Sequence, residues 1–196
     1  MSEFTIGDIC TWFKGFQVPR DDTSVDKAIP YLHYGDLYKK YDFRLNLQEK
    51  YDEIIKIDDS PKIKEAQYLH DGDIVFALTS ETVEDLGHCT LIHNPEDLPF
   101  VSGMETTVIH IKRPECVLPS FLNYYFHESL FQNRLRQYYT GMKVYRVHPD
   151  DMMSMSIELP SIEIQDRVVK ILDALADKIN CLQRINDNLG GIYFAS

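Results

Sequence analysis

The chain has 196 residues, 44% hydrophobic and 12% aromatic, enough to bury one substantial core with a small appendage. Its net charge of -11 excludes a uniformly basic nucleic-acid binder, so any polyanion contact has to be made by a local patch. No apolar run reaches the roughly 18 residues of a membrane span, and the opening MSEFTIGDIC lacks the basic start and apolar centre of a signal peptide, so a cytoplasmic location is expected.

Up to about residue 118, Gly and Pro recur every few residues, which predicts short strands and loops and no long helix. Basic and aromatic residues mix near the start, in Lys14, Phe16, Arg20, Tyr31, His33, Tyr34, Lys39, Lys40 and Arg44, while Gly15 and Gly35 would let backbone approach a ligand closely. A surface loop of no special role reads equally well. The acids cluster elsewhere, at 21–22, 51–60 and 81–85, leaving room for a local basic face. The clearest strands are IVFAL at 74–78 and TTVIHIK at 106–112, both expected in one sheet. Thr79, Ser80 and Glu81 put short polar groups at a strand end, a common place for recognition.

From Pro119 the apolar residues Phe121, Leu122, Tyr125, Leu130 and Leu135 recur near helical spacing, predicting a helix of about five turns with Gly141 as its stop. The segment Tyr138–His148 that follows is the densest basic and aromatic mixture of the chain, and suits phosphate and base-edge contacts through Lys143, Tyr145 and Arg146. Two readings stand: a contact segment, or a helix cap whose aromatics are core and whose cations answer the helix dipole. After an extended SIELP, Val168, Leu172, Leu175, Ile179, Leu182 and Leu189 alternate spacings of four and three, a coiled-coil seam that wants a partner helix unless it folds back on its own domain. Asn186 falls at an inward seam position, where a buried amide fixes register; in the alternative, Ile185 takes its place and Asn186 is exposed.

Signs of catalysis are missing. There is no phosphate-cradling GxxxxGK[ST], no GxSxG, no HExxH and no adenine-methylation motif. Cys10, Cys89, Cys116 and Cys181 form no CxxC pair and are expected to be reduced and mostly buried. The histidines lack ligand spacing, and His88 and Cys89, adjacent on a strand, would point to opposite faces. The expectation is of no catalytic residue, no metal and no cofactor in this chain.

In order along the chain, GDICTWFKGFQVP, IPYLHYGDL, HDGDIVFALTSETVEDLGHCTLI, SGMETTVIHIK, LPSFLNYYFHESLFQNRLRQYYTGMKVYRV and SIELPSIEIQDRVVKILDALADKINCLQRINDNL resemble a target-recognition domain of the specificity subunit of type I restriction-modification systems. The most specific piece is the turn carrying Leu159, Pro160 and Gln165 directly before the seam helix. The sequence departs at Gly103-Met104-Glu105-Thr106, where many relatives have a Gly-Leu-His-Thr type. The resemblance implies an α+β fold, a sheet-rich recognition domain over 1–158 followed by a docking helix over 159–196, and covers half of a full subunit. It implies double-stranded DNA, methyltransferase subunits, a motor-nuclease subunit and a second copy of the chain as partners. S-adenosylmethionine, ATP and magnesium would be held by those subunits. The DNA-contact candidates are Lys14, Arg20, Ser80, Lys143, Tyr145 and Arg146, and the docking candidates Leu172, Leu175, Ile179 and Leu182. The other reading is a regulatory decoy that occupies partner subunits without binding DNA.

Overall fold

The computed structural model describes residues 2–193 apart from 20, 21, 42 and 61; within the last helix, side chains are described as far as 186 apart from 180 and 184. The chain is a mixed α+β body leading into one long helix. Strands β1 (Ser2–Thr5), β2 (Cys10–Lys14), β3 (Ile29–Leu32), β4 (Arg44–Asn46) and β5 (Lys56–Ile57) alternate with one-turn helices α1 (Ile6–Ile9), α2 (Asp36–Lys39) and α3 (Leu47–Lys50). The strands β6 (Ile74–Ala77), β7 (Thr79–Ser80), β8 (Cys89–His93), β9 (Val101–Ser102) and β10 (Thr106–Ile111) follow. The main sheet runs in the order β2-β10-β6-β8-β4, antiparallel except for the β8–β4 pair, and a smaller one runs β5-β3-β9.

Strand β6 explains why IVFAL is apolar without alternation. Ile74 and Phe76 enter one cluster, with Ile109, Phe126 and Phe131. Val75 and Ala77 enter another, with Leu32, Leu45 and Val108. A strand covered on both faces keeps no polar side.

The helix predicted after Pro119 divides into α4 (Pro119–His127) and α5 (Ser129–Arg136), with extended backbone at Glu128 (φ -66°, ψ 136°). In one continuous helix Phe126 and Phe131 would lie about 140° apart around the axis. The break turns both inward, where their ring centroids are 4.8 Å apart. Gln132 stitches it, donating to Phe126 O at 2.6 Å and Gly87 O at 2.9 Å. Gly141 is therefore not the helix stop: α5 ends at Arg136, and Gly141 (φ +105°) turns the loop beyond.

That loop leads into β11 (Tyr145–Arg146), α6 (Pro149–Met153) and β12 (Ser156–Leu159). Strand β12 pairs antiparallel with β1, Ser2 facing Leu159, so the ends of the sheet-rich body are zipped together. Helix α7 (Ile162–Tyr193) leaves from this point. Its first turn is held by Gln165, which is fully buried: Oε1 accepts from Leu118 N at 2.9 Å, and Nε2 donates to Cys116 O and Pro160 O, both at 2.9 Å. Two turns on, Asp173 accepts from Tyr124 Oη at 2.8 Å and pairs with Arg44 at 3.2 Å.

The opposite side of α7 does not fold back. Ile164, Ile171, Leu175, Ile179, Leu182 and Ile185 are 48–62% exposed. Leu172 is half-buried and Ile171 stands out beside it; Asn186 is exposed, and the side chain of Leu189 lies outside the described residues. Of the cysteines, all free, Cys10 and Cys89 are buried, Cys116 is half-buried, and Cys181 is exposed because α7 has passed the body there.

Replacing Gln165 by Leu leaves the Leu118 N–H and two carbonyls without their partner in a dry site, and is expected to cost about 3 kcal/mol in urea-unfolding stability. A second test concerns His110, whose ring meets the buried Asp73 carboxylate at 2.8 Å. That hydrogen bond, opposed by partial burial, holds the His110 pKa above its ordinary value. The stabilisation is then complete below the unfolded-state pKa of about 6.5 and is lost as pH rises through the higher folded value. The stability gap between the native chain and His110→Gln should shrink on going from about pH 6 to pH 9, reduced in size by the half-exposed ring.

Candidate nucleic-acid interface

The register gathers loops at one end of the main sheet. Lys14 lies opposite Thr107, Thr107 opposite Phe76, and Phe76 opposite Cys89. The end of β2, the start of β10, the end of β6 and the start of β8 therefore share an edge. Strand β7 carries on from β6 past this edge and pairs with β11, Ser80 facing Tyr145 and Thr79 facing Arg146. Lys14, Ser80, Tyr145 and Arg146 thus come to the same end of the molecule, with Lys143 in the attached loop. Arg20 lies outside the described residues.

The loop is a closed unit. Thr140 and Arg146 exchange both backbone hydrogen bonds, at 2.9 and 3.0 Å, and Val147 N donates to Leu78 O at 2.9 Å, fixing its base to the sheet. Arg146 Nε donates to Thr79 Oγ1 at 3.2 Å, and the Tyr139 and Tyr145 rings meet edge to face. A Cβ at Gly141 would collide with the Val144 carbonyl. Residues 137–144 are all exposed, with Met142 at 92%, so Tyr138 and Tyr139 are not core. From 129 to 149 there is no acid, against Arg134, Arg136, Lys143 and Arg146. Arg134 and Arg136 are turned to structure: Arg136 donates to Glu84 O and Leu86 O, and Arg134 to Ser156 O. Lys143 and Arg146 are the cations presented outward.

Ser80 is nearly buried, and its hydroxyl accepts from Thr82 N at 3.3 Å, so it shapes the 80–85 turn from beneath. His148 caps α6, its Nδ1 accepting from Asp150 N at 3.3 Å. His33 and Tyr34, part of the first basic and aromatic region, continue through Tyr38 to His88 in successive ring contact. Sequence reasoning missed Tyr38 and the join to His88, which comes from a separate segment and carries no local mark. Burial, and then Tyr34, Asp85 and Glu81, raise the Tyr38 pKa.

Beside this run opens a cleft of about 480 Å³, lined by Gln17, Tyr31, His33, Tyr34, Lys40 and Glu105 among others. Its wall depends on two glycines. Phe16 bridges to Gly103, and a Cβ at Gly15 would strike the carbonyls of Ser102 and Gly103. His88 and Cys89, adjacent in the chain, have different partners. His88 meets Tyr38, while Cys89 faces the core 3.6 Å from His127 Nδ1. Burial pushes the Cys10 thiol up to about 12, far from nucleophilic use. Among the described residues no group of His, Cys, Asp and Glu could hold a metal, and no helix is long and apolar enough to cross a membrane.

A Cβ placed on Gly103 would lie 2.6 Å from the Tyr31 hydroxyl oxygen and 3.3 Å from its Cζ. Gly103→Ala should destabilise the chain by about 1–3 kcal/mol. Since the hydroxyl is the nearer obstacle, adding Tyr31→Phe should recover part of the loss, as a double-mutant cycle in urea will show.

Among curated proteins none matches the chain. Three solved structures share its fold. One, from a study of complex assembly and conformational transition of the type I R-M system, is 16% identical with a TM-score of 0.66 and is matched over 93% of this chain and 40% of its own. The type I restriction-modification S subunit from M. genitalium is 13% identical, with a TM-score of 0.60 over 92% of this chain and 40% of its own. The HsdS subunit from Thermoanaerobacter tengcongensis is 18% identical, with a TM-score of 0.59 over 93% and 39%. This chain thus spans about two fifths of the length of those proteins. The family model for the type I restriction modification DNA specificity domain matches residues 1–190, and the chain belongs to that non-catalytic, DNA-specificity family.

Proposed function

We propose that the chain is the DNA-recognition half of a type I restriction-modification specificity subunit, working in the cytoplasm. Lys143, Tyr145 and Arg146, together with Lys14 and Arg20, contact duplex DNA. The apolar stripe through Leu175, Ile179 and Leu182, with Leu172 at its margin, forms a coiled coil with a second copy and docks the methyltransferase subunits, through which the motor-nuclease subunit is reached. S-adenosylmethionine, ATP and magnesium belong to those subunits. Residues 1–158 act as the recognition domain and 159–196 as the docking region.

One observation carries this reading. In a chain of net charge -11, the acid-free loop at the sheet end and the uncovered stripe of α7 sit on the same body, one suited to a polyanion and the other to apolar helices. The acids Glu81, Asp85 and Glu105 around the same edge favour the second reading, a decoy that occupies partners without DNA.

Binding to duplex DNA at several salt concentrations separates the two. A recognition module loses affinity linearly in log salt, and Lys143→Ala should lower that slope by about 1. A decoy shows no such slope. Leu175→Asp with Ile179→Asp should abolish pairing in light scattering while leaving the fold intact, since neither side chain is buried in the body.

A further inference from the structure

Helix α7 lies along α4 and is hydrogen-bonded to the body at two places. Gln165 ties its first turn through three hydrogen bonds, and Asp173 ties it eight residues on, about 12 Å along the axis. A single point of attachment is a pivot; a second one fixes an angle. Beneath the helix, between these ties and the strands β4 and β8, runs an open groove of about 910 Å³ bordered by Asn46, His93, Asp166, Val169 and Asp177.

The second tie is built with care. The Asp173 carboxylate is about one-third exposed, and one oxygen, Oδ1, takes both the Tyr124 hydroxyl at 2.8 Å and the Arg44 guanidinium at 3.2 Å. Tyr124 is itself held against the Phe43 ring, with centroids 4.8 Å apart, and Phe43 O accepts from the buried Asn123 at 3.0 Å. The latch is therefore rooted in the α4–β4 region and not in loose surface chains.

We propose that Asp173, gripped by Tyr124 and Arg44, is a positioning residue that sets the angle of α7 to the recognition body and thereby the number of base pairs between the two half-sites. That last part rests on the pairing and DNA reading proposed above: two paired copies would each read one stretch of the duplex, a half-site, with a spacer between the two. Leverage makes the latch matter. From Gln165 to the end of α7 at Tyr193 is about 42 Å, so 1 Å of slack at Asp173 becomes about 3.5 Å at the far end. That is one base-pair step of duplex DNA, about 3.4 Å. A latch of ordinary hydrogen-bond tolerance is just tight enough to hold one spacing.

The test uses the full chain with spin labels on the native, exposed Cys181 and on Thr11→Cys, an exposed position of β2, in a Cys116→Ser background; Cys10 and Cys89 are buried. The distance distribution between labels is measured for the native latch, for Asp173→Asn, and for Asp177→Asn as a control of equal charge one turn on. The same chains select duplexes from a library of varied spacer length. Asp173→Asn is expected to broaden the distance distribution by about 2 Å, the displacement at Cys181, about 24 Å along the axis from Gln165, that corresponds to one base-pair step at the helix end, and to admit spacers one base pair longer or shorter, while Asp177→Asn leaves both unchanged. A sharp, unshifted distribution in Asp173→Asn overturns the latch whatever the DNA result. Broadening in Asp173→Asn with no change in the spacer selected overturns its role in spacing. If the native chain selects no duplex, the DNA reading fails, and with it the half-site claim, while the label distances still decide the angle. Should Asp173→Asn fail to fold, Tyr124→Phe and Arg44→Met each remove one grip and are read in the same way.

Discussion

A single buried amide holds together the parts of this molecule that must act in concert. Gln165 gives both of its ends to backbone groups, from the segment before α4 and from the turn before α7, in a site without exposure. An unpaired peptide group there would be expensive, so the junction between body and helix is determined by hydrogen-bond satisfaction more than by apolar contact. Everything that α7 presents to a partner is aimed from this point. It also gives a physical meaning to the Leu-Pro-x-x-x-x-Gln turn: the proline fixes the approach, and the glutamine, five residues on, reaches back to close it.

The elements legible in the sequence were those in which one residue type repeats for one reason. IVFAL and TTVIHIK are central strands because both of their faces are covered. The four-and-three spacing after Pro160 yields a long helix whose stripe stays uncovered. The break at Glu128 was not legible, because the spacing of Phe121, Leu122, Tyr125 and Leu130 fits an unbroken helix and the inward turn of Phe131 is a tertiary demand. At the interface, Lys143, Tyr145 and Arg146 were visible as a local cluster, but the partnership with Thr79 and Ser80 depends on strand pairing across more than 60 residues of chain. The contact of Tyr38 with His88, and the grip of Arg44 on Asp173, join distant segments and leave no local trace. Arg44 had counted as part of a basic region; the structure gives it to the helix.

Net charge was the feature most at odds with a DNA-specificity family, and the fold shows how the two are compatible. Acids crowd the chain, yet the 129–149 stretch is free of them, and its two inner arginines are used up on backbone carbonyls. What remains outward is a small cationic tip on a rigid base, next to carboxylates. For the DNA contact proposed above, such a face would discriminate by geometry more than by bulk attraction, since an acidic surround discourages non-specific residence on phosphate backbone.

The pairing of β1 with β12 orders the birth of the fold. All five strands of the main sheet lie between Cys10 and Ile111, so that sheet has its components well before the chain is complete. Residues 2–5 have no partner until Ser156–Leu159 has been made, and closing so long a loop costs on the order of 4–5 kcal/mol in chain entropy. Strand β1, made before any strand of the main sheet, is therefore among the last to be zipped. Because the strand that zips it leads directly into α7, that helix gains a fixed root only once the body it leaves is finished.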